Sequence, residues 1–249
     1  MITQARQELI LSIVEKEQAV TVTELTKRMD ASESTIRRDL AALDKKGKLI
    51  KVHGGATALP RDIITKEENV SAKASMNVAV KELIAKYSVK LINNGDFIYL
   101  DAGTTTYKMI DYLPKVDAVF VTNGIAHAKK LIEKGFKTFM IGGIIKPVTE
   151  AVIGSVAVKM IKEFNFTKSF MGTNGISIRE GLTTPDIEEA AFKREVVNRS
   201  YVAYVLADNT KMGVVSAISF APLDKVCIIT NGKVDKAFKD ITVIKEVEE

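Results

Sequence analysis

The sequence predicts an α/β protein in two parts: a small N-terminal module of three helices closed by an extended wing, and a larger C-terminal domain in which a parallel sheet carries helices on its faces. Two observations lead there. In the first 56 residues, apolar side chains recur at helical spacing in three short runs divided by capping signals, and a short alternating segment follows. Beyond residue 96, short β-rich runs alternate with helical patterns, as in a largely parallel sheet.

In the first module, Leu9, Ile10, Ile13 and Val14 form a stripe on a helix from about Thr3 to Lys16. Thr21-Val22-Thr23-Glu24 fits a capping box, with Val20 and Leu25 at the positions of a hydrophobic staple, so a second helix starts there and ends near Met29. Ser32 is placed to cap a third helix with Ile36, Leu40 and Leu43 on its inner face, stopped by Gly47. Lys48 to His53 alternates as an extended wing and closes on Gly54-Gly55. These residues make up a domain over 1–56.

Residues 57–71 hold Pro60 and many charges without a period, and read as a linker. The second domain spans 72–249. Its first helix runs from Ser71 to Ile92, with Met76, Val80, Leu83, Tyr87 and Leu91 at helical spacing, and ends at the turn Asn93-Asn94-Gly95-Asp96. Strands are expected at Phe97 to Asp101, Val119 to Thr122, Thr138 to Ile141, Ser169 to Met171, Val202 to Ala207 and Val226 to Thr230. Helices fall near Thr105 to Leu113, Ile125 to Lys134, Val156 to Phe164 and Pro185 to Ser200, the last opened by Thr184 with Pro185 in its first turn.

Composition removes several function classes. The chain has one cysteine and two histidines, so neither a disulfide framework nor a His/Cys metal site of the usual spacing can be assembled, and no metal or other cofactor is expected. Cys227, within an apolar run, reads as a small hydrophobe and not as a nucleophile. No apolar run approaches the ~20 residues that span a bilayer, and the first residues have no apolar signal core, so a cytoplasmic location is expected. The net charge of +5 is unevenly spread: between Lys27 and Lys51, eight cations face four anions. A local surplus of this kind suits a polyanionic partner.

Two helices joined by a short turn, the second carrying cations outward, form a helix-turn-helix whose third helix can enter the major groove of DNA. Ser34, Thr35, Arg37, Arg38 and Ala41 lie towards its outer side. Arginine bonds guanine O6 and N7 in a bidentate manner, and hydroxyls suit phosphate oxygens. The run Ser32-Glu33-Ser34-Thr35-Ile36-Arg37-Arg38-Asp39-Leu40, with His53-Gly54-Gly55-Ala56 at the wing, strongly resembles the signature of the DeoR family of bacterial regulators. That resemblance extends through nearly the whole chain. It implies a winged helix-turn-helix DNA-binding domain with Ser34, Thr35, Arg37 and Arg38 at the double-stranded operator and Lys51 and His53 as wing or backbone contacts. The family often has arginine where Lys51 stands, so the charge is kept here but the bidentate geometry is lost.

In the second domain, the expected strands end in small or polar residues: Asp101-Ala102-Gly103-Thr104-Thr105-Thr106, Thr122-Asn123-Gly124, Gly142-Gly143, Gly172-Thr173-Asn174-Gly175 and Asp208-Asn209-Thr210-Lys211. Open α/β sheets bind ligands at these carboxyl ends. A strand passing through Gly103 into a hydroxyl-rich helix start offers amides and threonines to an anion, with Lys211 as countercharge, which favours a phosphorylated ligand. Here too the words resemble the DeoR-family sensor domain, an α/β fold related to ribose-5-phosphate isomerase and glucosamine-6-phosphate deaminase. The resemblance implies Gly103, Thr104, Thr105 and Lys211 at the phosphate, and Asp101, Asn123, Glu150 and Glu189 at hydroxyls or in shaping the pocket. Glu189 and Lys193, four apart on one helix, also fit an ordinary exposed ion pair.

Within the family, Thr149-Glu150-Ala151, Gly172 to Ile176 and Thr183 to Asp186 are most similar to the fructose operon repressors of Gram-positive bacteria. Fructose 1-phosphate is the effector this implies, acting on a homodimer or homotetramer that represses a sugar-utilisation operon and has no enzymatic activity. Two alternatives remain on the residues alone. A sugar-phosphate isomerase on the same fold could use Asp101, Glu150 and Glu189 for proton transfer. An activator could be built from the same modules.

Overall fold

The computed structural model describes residues 2–59 and 62–248; Pro60, within the expected linker, lies outside them. The chain forms two compact units, Met1–Asp62 and Ile63–Glu249.

The first unit is built on α1 (Thr3–Glu17), β1 (Ala19–Thr21), α2 (Val22–Met29) and α3 (Glu33–Lys45), followed by the hairpin β2 (Ile50–Val52) and β3 (Gly55–Thr57). The capping box forms as the sequence predicts: Glu24 N–H donates to Thr21 Oγ1 at 3.2 Å, and Thr21 N–H donates to Glu24 Oε2 at 2.9 Å. Such a cap is worth about 0.5–2 kcal/mol. Ser32 Oγ caps α3 by accepting from Thr35 N–H at 3.3 Å. Ile10, Val14, Val20, Leu25, Ile36, Leu40 and Leu49 fill the core. Leu9, expected on the buried stripe, is 38% exposed, and the inner face of α1 runs Arg6, Ile10, Val14 instead. Arg6 turns inward because Nε donates to Asp39 Oδ2 at 2.5 Å, which rotates the packed face.

The wing is narrower than the alternation from Lys48 suggests. β2 and β3 turn through His53-Gly54, and β3 also pairs with β1, giving the sheet order β1-β3-β2. Gly55 is required at this junction, since a Cβ there would lie 2.1 Å from the Val20 carbonyl oxygen.

The second unit opens with β4 (Ile63–Ile64), α4 (Val70–Ser75) and α5 (Val78–Ser88). Residues 63–71, expected in the linker, are tied to the second unit by backbone bonds: β4 pairs in parallel with β14 (Val215–Ser216), and Val70 N–H donates to the Val148 carbonyl at 3.1 Å. The single helix expected from Ser71 to Ile92 is broken. Asn77 takes a left-handed φ of 51°, a conformation asparagine tolerates, and stands between α4 and α5. Asn69 Oδ1 caps α4, accepting from Ala72 N–H at 2.8 Å.

The alternating elements then follow as β5 (Phe97–Leu100), α6 (Thr104–Tyr112), β6 (Val119–Thr122), α7 (Ile125–Glu133), β7 (Lys137–Met140), the hairpin β8 (Ile144–Lys146) and β9 (Ala151–Ile153), α8 (Ser155–Ile161) and β10 (Phe166–Met171). After them come β11 (Gly175–Ser177), β12 (Gly181–Thr184), α9 (Ile187–Asn198), β13 (Ser200–Leu206), β15 (Ile218–Ala221), β16 (Cys227–Asn231), α10 (Lys236–Lys239) and β17 (Val243–Val247). Thr184 ends β12 and does not open α9, consistent with the extended bias of a residue before proline. Asp186 caps α9 instead, accepting from Glu189 N–H at 2.9 Å. Cys227 is half-buried in β16, where burial pushes its thiol pKa up.

Seven strands form one parallel sheet in the order β17-β16-β13-β10-β5-β6-β7. One core, with Ile84, Met109, Ile110 and Leu131, covers one face, and another, with Ala157, Ile161, Phe192 and Val196, covers the other. From β5 the chain winds outward through β6 and β7, and then returns to β10 on the other side of β5. The switch point of this doubly wound sheet therefore lies between β5 and β10, where a crevice opens at the carboxyl ends.

Candidate functional site

In the first unit, the outer side of α3 presents Ser34, Arg37, Arg38 and Ala41 to solvent, while Thr35 is half-buried. Their commitments differ. Thr35 Oγ1 and Ser34 Oγ lie 2.9 and 3.0 Å from the capping Ser32 Oγ, and Arg37 Nη2 donates to Glu33 Oε2 at 2.9 Å. Arg38 makes no ion pair among the described residues, so of the two arginines on this helix its guanidinium is the one not already held by a carboxylate. Lys51 and His53 are exposed on the wing, where Lys51 N–H donates to Asp44 Oδ1 at 2.9 Å. Asp39 is structural: its carboxylate is buried and also accepts from Gln7 Nε2 at 3.2 Å.

In the second unit, a cavity occupies the crevice, with Asp101, Gly103, Thr104, Thr105, Asn123, Glu189 and Lys211 all in its wall. Gly103 caps α6, and the N–H groups of Thr104, Thr105 and Thr106 form a first turn with no preceding turn to bond to. The turn is held from behind. Thr106 Oγ1 accepts from Gly103 N–H at 3.0 Å and lies 2.6 Å from the Asp101 carbonyl, and His127 Nε2 lies 3.0 Å from the Gly103 carbonyl. Burial of His127, only partly offset by that bond and by Asp101, lowers its pKa from 6.5 to about 4, so the ring is neutral at pH 7.

Asn123 is spent internally: its Oδ1 accepts from Tyr99 OH at 2.8 Å and Ala102 N–H at 3.0 Å, and its Nδ2 donates to the Val152 carbonyl at 3.1 Å. It shapes the wall and joins β5 to β9. Glu150 is the one expected residue that does not line this cavity but an adjoining one, which shares Lys81, Gly103 and Thr104 with it. It is exposed, has φ 53°, and borders a neighbouring cavity with His127, Tyr107 and Lys108.

Glu189 and Lys193 are not an exposed pair: they are 8% and 4% exposed, at 3.5 Å from each other. Lys193 Nζ also bonds Asp101 Oδ2 at 2.5 Å and the Gly172 carbonyl at 2.8 Å, tying α9 to the ends of β5 and β10. Burial alone would depress the Lys193 pKa, but Asp101 and Glu189 outweigh it and raise it. Burial raises the Glu189 pKa, and the nearby Glu67 and Asp101 carboxylates add to that.

Several residues of the wall carry no signal that the sequence reading used. Glu67 lies within 2.6 Å of Lys73 Nζ and 2.5 Å of Lys146 Nζ; these cations overcome its burial and lower its carboxyl pKa to about 2. Lys81 is the most telling. It is 6% exposed on the inner face of α5, donates to the Lys73 carbonyl, and makes no ion pair among the described residues. Burial, with Lys211 and Lys73 nearby, outweighs Asp208 and Glu68 and holds its pKa below the ordinary lysine value. It borders the Gly103-Thr104 turn in both cavities. Its position three, four and seven residues before Ile84, Ala85 and Ser88, which are buried, was the available signal.

Among the described residues there is no group of three or more His, Cys, Asp or Glu side chains that could hold a metal ion, and no helix long and apolar enough to cross a membrane.

A winged helix-turn-helix unit followed by an α/β unit with a polar crevice at its switch point defines a DNA-binding regulator with a small-molecule sensor. Residues 6–61 match the DeoR-like helix-turn-helix domain, and residues 76–232 match the DeoR C terminal sensor domain. The chain belongs to the DeoR family of transcriptional regulators. It is 42% identical over 252 residues to an uncharacterized HTH-type transcriptional regulator FruR of Bacillus subtilis, covering 100% of both chains. It is 33% identical to a lactose phosphotransferase system repressor of Staphylococcus epidermidis, covering 86% of each chain. With the HTH-type transcriptional regulator GlpR of Haloferax volcanii it shares 32% identity over 94% of this chain and 92% of that one. Among solved structures, ribose 5-phosphate isomerase A of Methanocaldococcus jannaschii aligns over 55% of each chain with a TM-score of 0.41 and 16% identity, a likeness too weak to carry an argument.

Proposed function

We propose that this regulator is a repressor of a sugar-utilisation operon and that a phosphorylated sugar in the second unit's cavity releases it from its operator. The observation that carries this reading is Lys81: a buried ammonium with no ion pair among the described residues, lining one cavity with Lys211 and the first turn of α6. A buried cation of this kind is expensive unless an anion joins it. Phosphate, with three acceptor oxygens and close to two negative charges, fits two lysines and a helix start.

In this reading Gly103, Thr104, Thr105, Lys81 and Lys211 hold the phosphate. Asp101 and Glu189 accept sugar hydroxyls, and Asn123 fixes the wall. Glu150 contributes from the neighbouring cavity. Fructose 1-phosphate is our first choice of sugar, supported by the similarity to FruR over the full length. On the DNA, Arg38 reads a base edge, Arg37 is steadied by Glu33, and Ser34, Thr35, Lys51 and His53 contact the backbone or shape the wing. A homodimer or homotetramer places two recognition helices in successive major grooves, and effector binding favours a geometry in which they no longer match.

Incubating the protein with sugar phosphates tests this against the isomerase alternative. The account expects a rise in melting temperature with the sugar returned unchanged. Conversion of aldose to ketose would replace it with the enzyme reading. Stabilisation by another sugar phosphate but not by fructose 1-phosphate would change only the sugar.

A further inference from the structure

We propose that the cavity admits a sugar carrying one phosphate and rejects the same sugar carrying a second phosphate at its other end. The proposal rests on the sugar-phosphate reading above and adds a rule about which sugar phosphates respond.

The lysines around the cavity fall into two groups according to what they already hold. Lys81 and Lys211 make no ion pair among the described residues, lie near enough to act on each other by charge, and line the cavity together with the start of α6. Lys73, Lys146 and Lys193 are taken. Lys73 Nζ is 2.6 Å from Glu67, and Lys146 Nζ is 2.5, 3.1 and 3.2 Å from Glu67, Glu189 and Asp186. Lys193 Nζ is 2.5 and 3.5 Å from Asp101 and Glu189. Four carboxylates thus share three lysines, and this region has a negative surplus.

One phosphate near its dianionic state is matched by Lys81, Lys211 and the first-turn amides. A second phosphate would meet Glu67, Asp101 and Glu189 with no cation that lacks a carboxylate partner, so binding it means breaking a buried pair or placing like charges together. A hydroxylated carbon chain has the opposite fit, since carboxylates accept from several hydroxyls without giving up their lysines. Asp208 and Glu68 also act on Lys81 by charge without forming an ion pair with it, and Asp208 Oδ1 accepts from Thr210 N–H at 3.1 Å and from the Thr210 hydroxyl, so the phosphate end relies on the α6 amides as well as on the two lysines.

Isothermal titration of the full chain at fixed ionic strength, with matched pairs, tests this: fructose 1-phosphate and fructose 6-phosphate against fructose 1,6-bisphosphate, and glucose 6-phosphate against glucose 1,6-bisphosphate. A site responding to charge alone would bind the bisphosphates tightest. We expect the best monophosphate to be favoured over its bisphosphate by about tenfold or more. Glu67→Gln frees Lys73 and removes one of the three carboxylates around Lys146, and should shift the ratio towards the bisphosphate by about tenfold. Asp186→Asn, at a side chain 29% exposed, should shift it the same way and serves if the first variant fails to fold. A bisphosphate that binds the unmodified protein as tightly as the best monophosphate overturns this proposal alone, as does an unchanged ratio in the folded variants. Absence of binding by every sugar phosphate overturns the sugar-phosphate reading as well.

Discussion

Lys193 Nζ sits 2.5 Å from Asp101 Oδ2, with both side chains almost wholly withdrawn from solvent, so one ion pair fastens α9 to the end of the central strand β5. Removing one member strands the other. Lys193→Met should destabilise the second unit by about 3–5 kcal/mol, because Asp101 would keep its burial without its cation. Chemical denaturation followed by circular dichroism reads this directly, and a loss below about 1 kcal/mol would show that Asp101 re-partners without cost.

Lys81→Met should behave in the opposite way. No ion pair among the described residues is broken and the burial cost of the ammonium is removed, so folding stability should hold or rise, while affinity for the effector falls by about ten- to a hundredfold through loss of a charged hydrogen bond. Operator binding in the absence of sugar should be unchanged. Titration calorimetry beside a melting curve separates the two effects, and full effector affinity in this variant would remove Lys81 from the phosphate site.

His127 sets an acid limit. Its pKa is lowered from 6.5 to about 4 in the folded chain, so the unfolded chain takes up the proton first as pH falls. Its contribution is therefore complete above about pH 6.5 and is lost as pH falls towards 4, amounting to about 3 kcal/mol for a shift of this size. Glu189, whose pKa is raised, contributes with the opposite sign, losing stability as pH rises through its folded value. Comparing the protein with His127→Gln cancels that common term. The stability difference between them should shrink from pH 7 to pH 4.5, and a constant difference would contradict the buried neutral ring.

On α3, Arg38→Ala should abolish sequence-specific operator binding with the melting temperature unchanged, since Arg38 is exposed and makes no ion pair among the described residues. Arg37→Ala should cost less, because Glu33 already holds that guanidinium at 2.9 Å. Fluorescence anisotropy at several salt concentrations distinguishes a lost base contact from a lost phosphate contact: only the second lowers the salt slope.

Much of this was legible in the sequence where a local rule suffices. The Thr21-Glu24 capping box, the Ser32 cap and the strand ends after β5, β10 and β13 depend on neighbours a few residues apart, and they stand where expected. What escaped depends on distant partners. Glu67 reads as a linker charge until Lys146 meets it across 79 positions, and Lys81 stands out only once α5 is seen to bury it beside the cavity. Short strands such as β4, β8 and β11 have too few residues to display a period. Glu150 lies in the hairpin turn between β8 and β9 with a left-handed backbone, which leaves no mark in composition, and it borders the neighbouring cavity that shares Gly103 and Thr104 with the first.

The most direct test of the account is operator release. A labelled DNA fragment from upstream of the protein's own gene is bound by the full chain and then titrated with a panel of sugar phosphates and their unphosphorylated sugars. The account predicts tight binding that one phosphorylated sugar weakens by about tenfold or more, with no effect of the parent sugar and no release in Lys81→Met. Release by the unphosphorylated sugar, or equal release of the Lys81→Met protein, would contradict it.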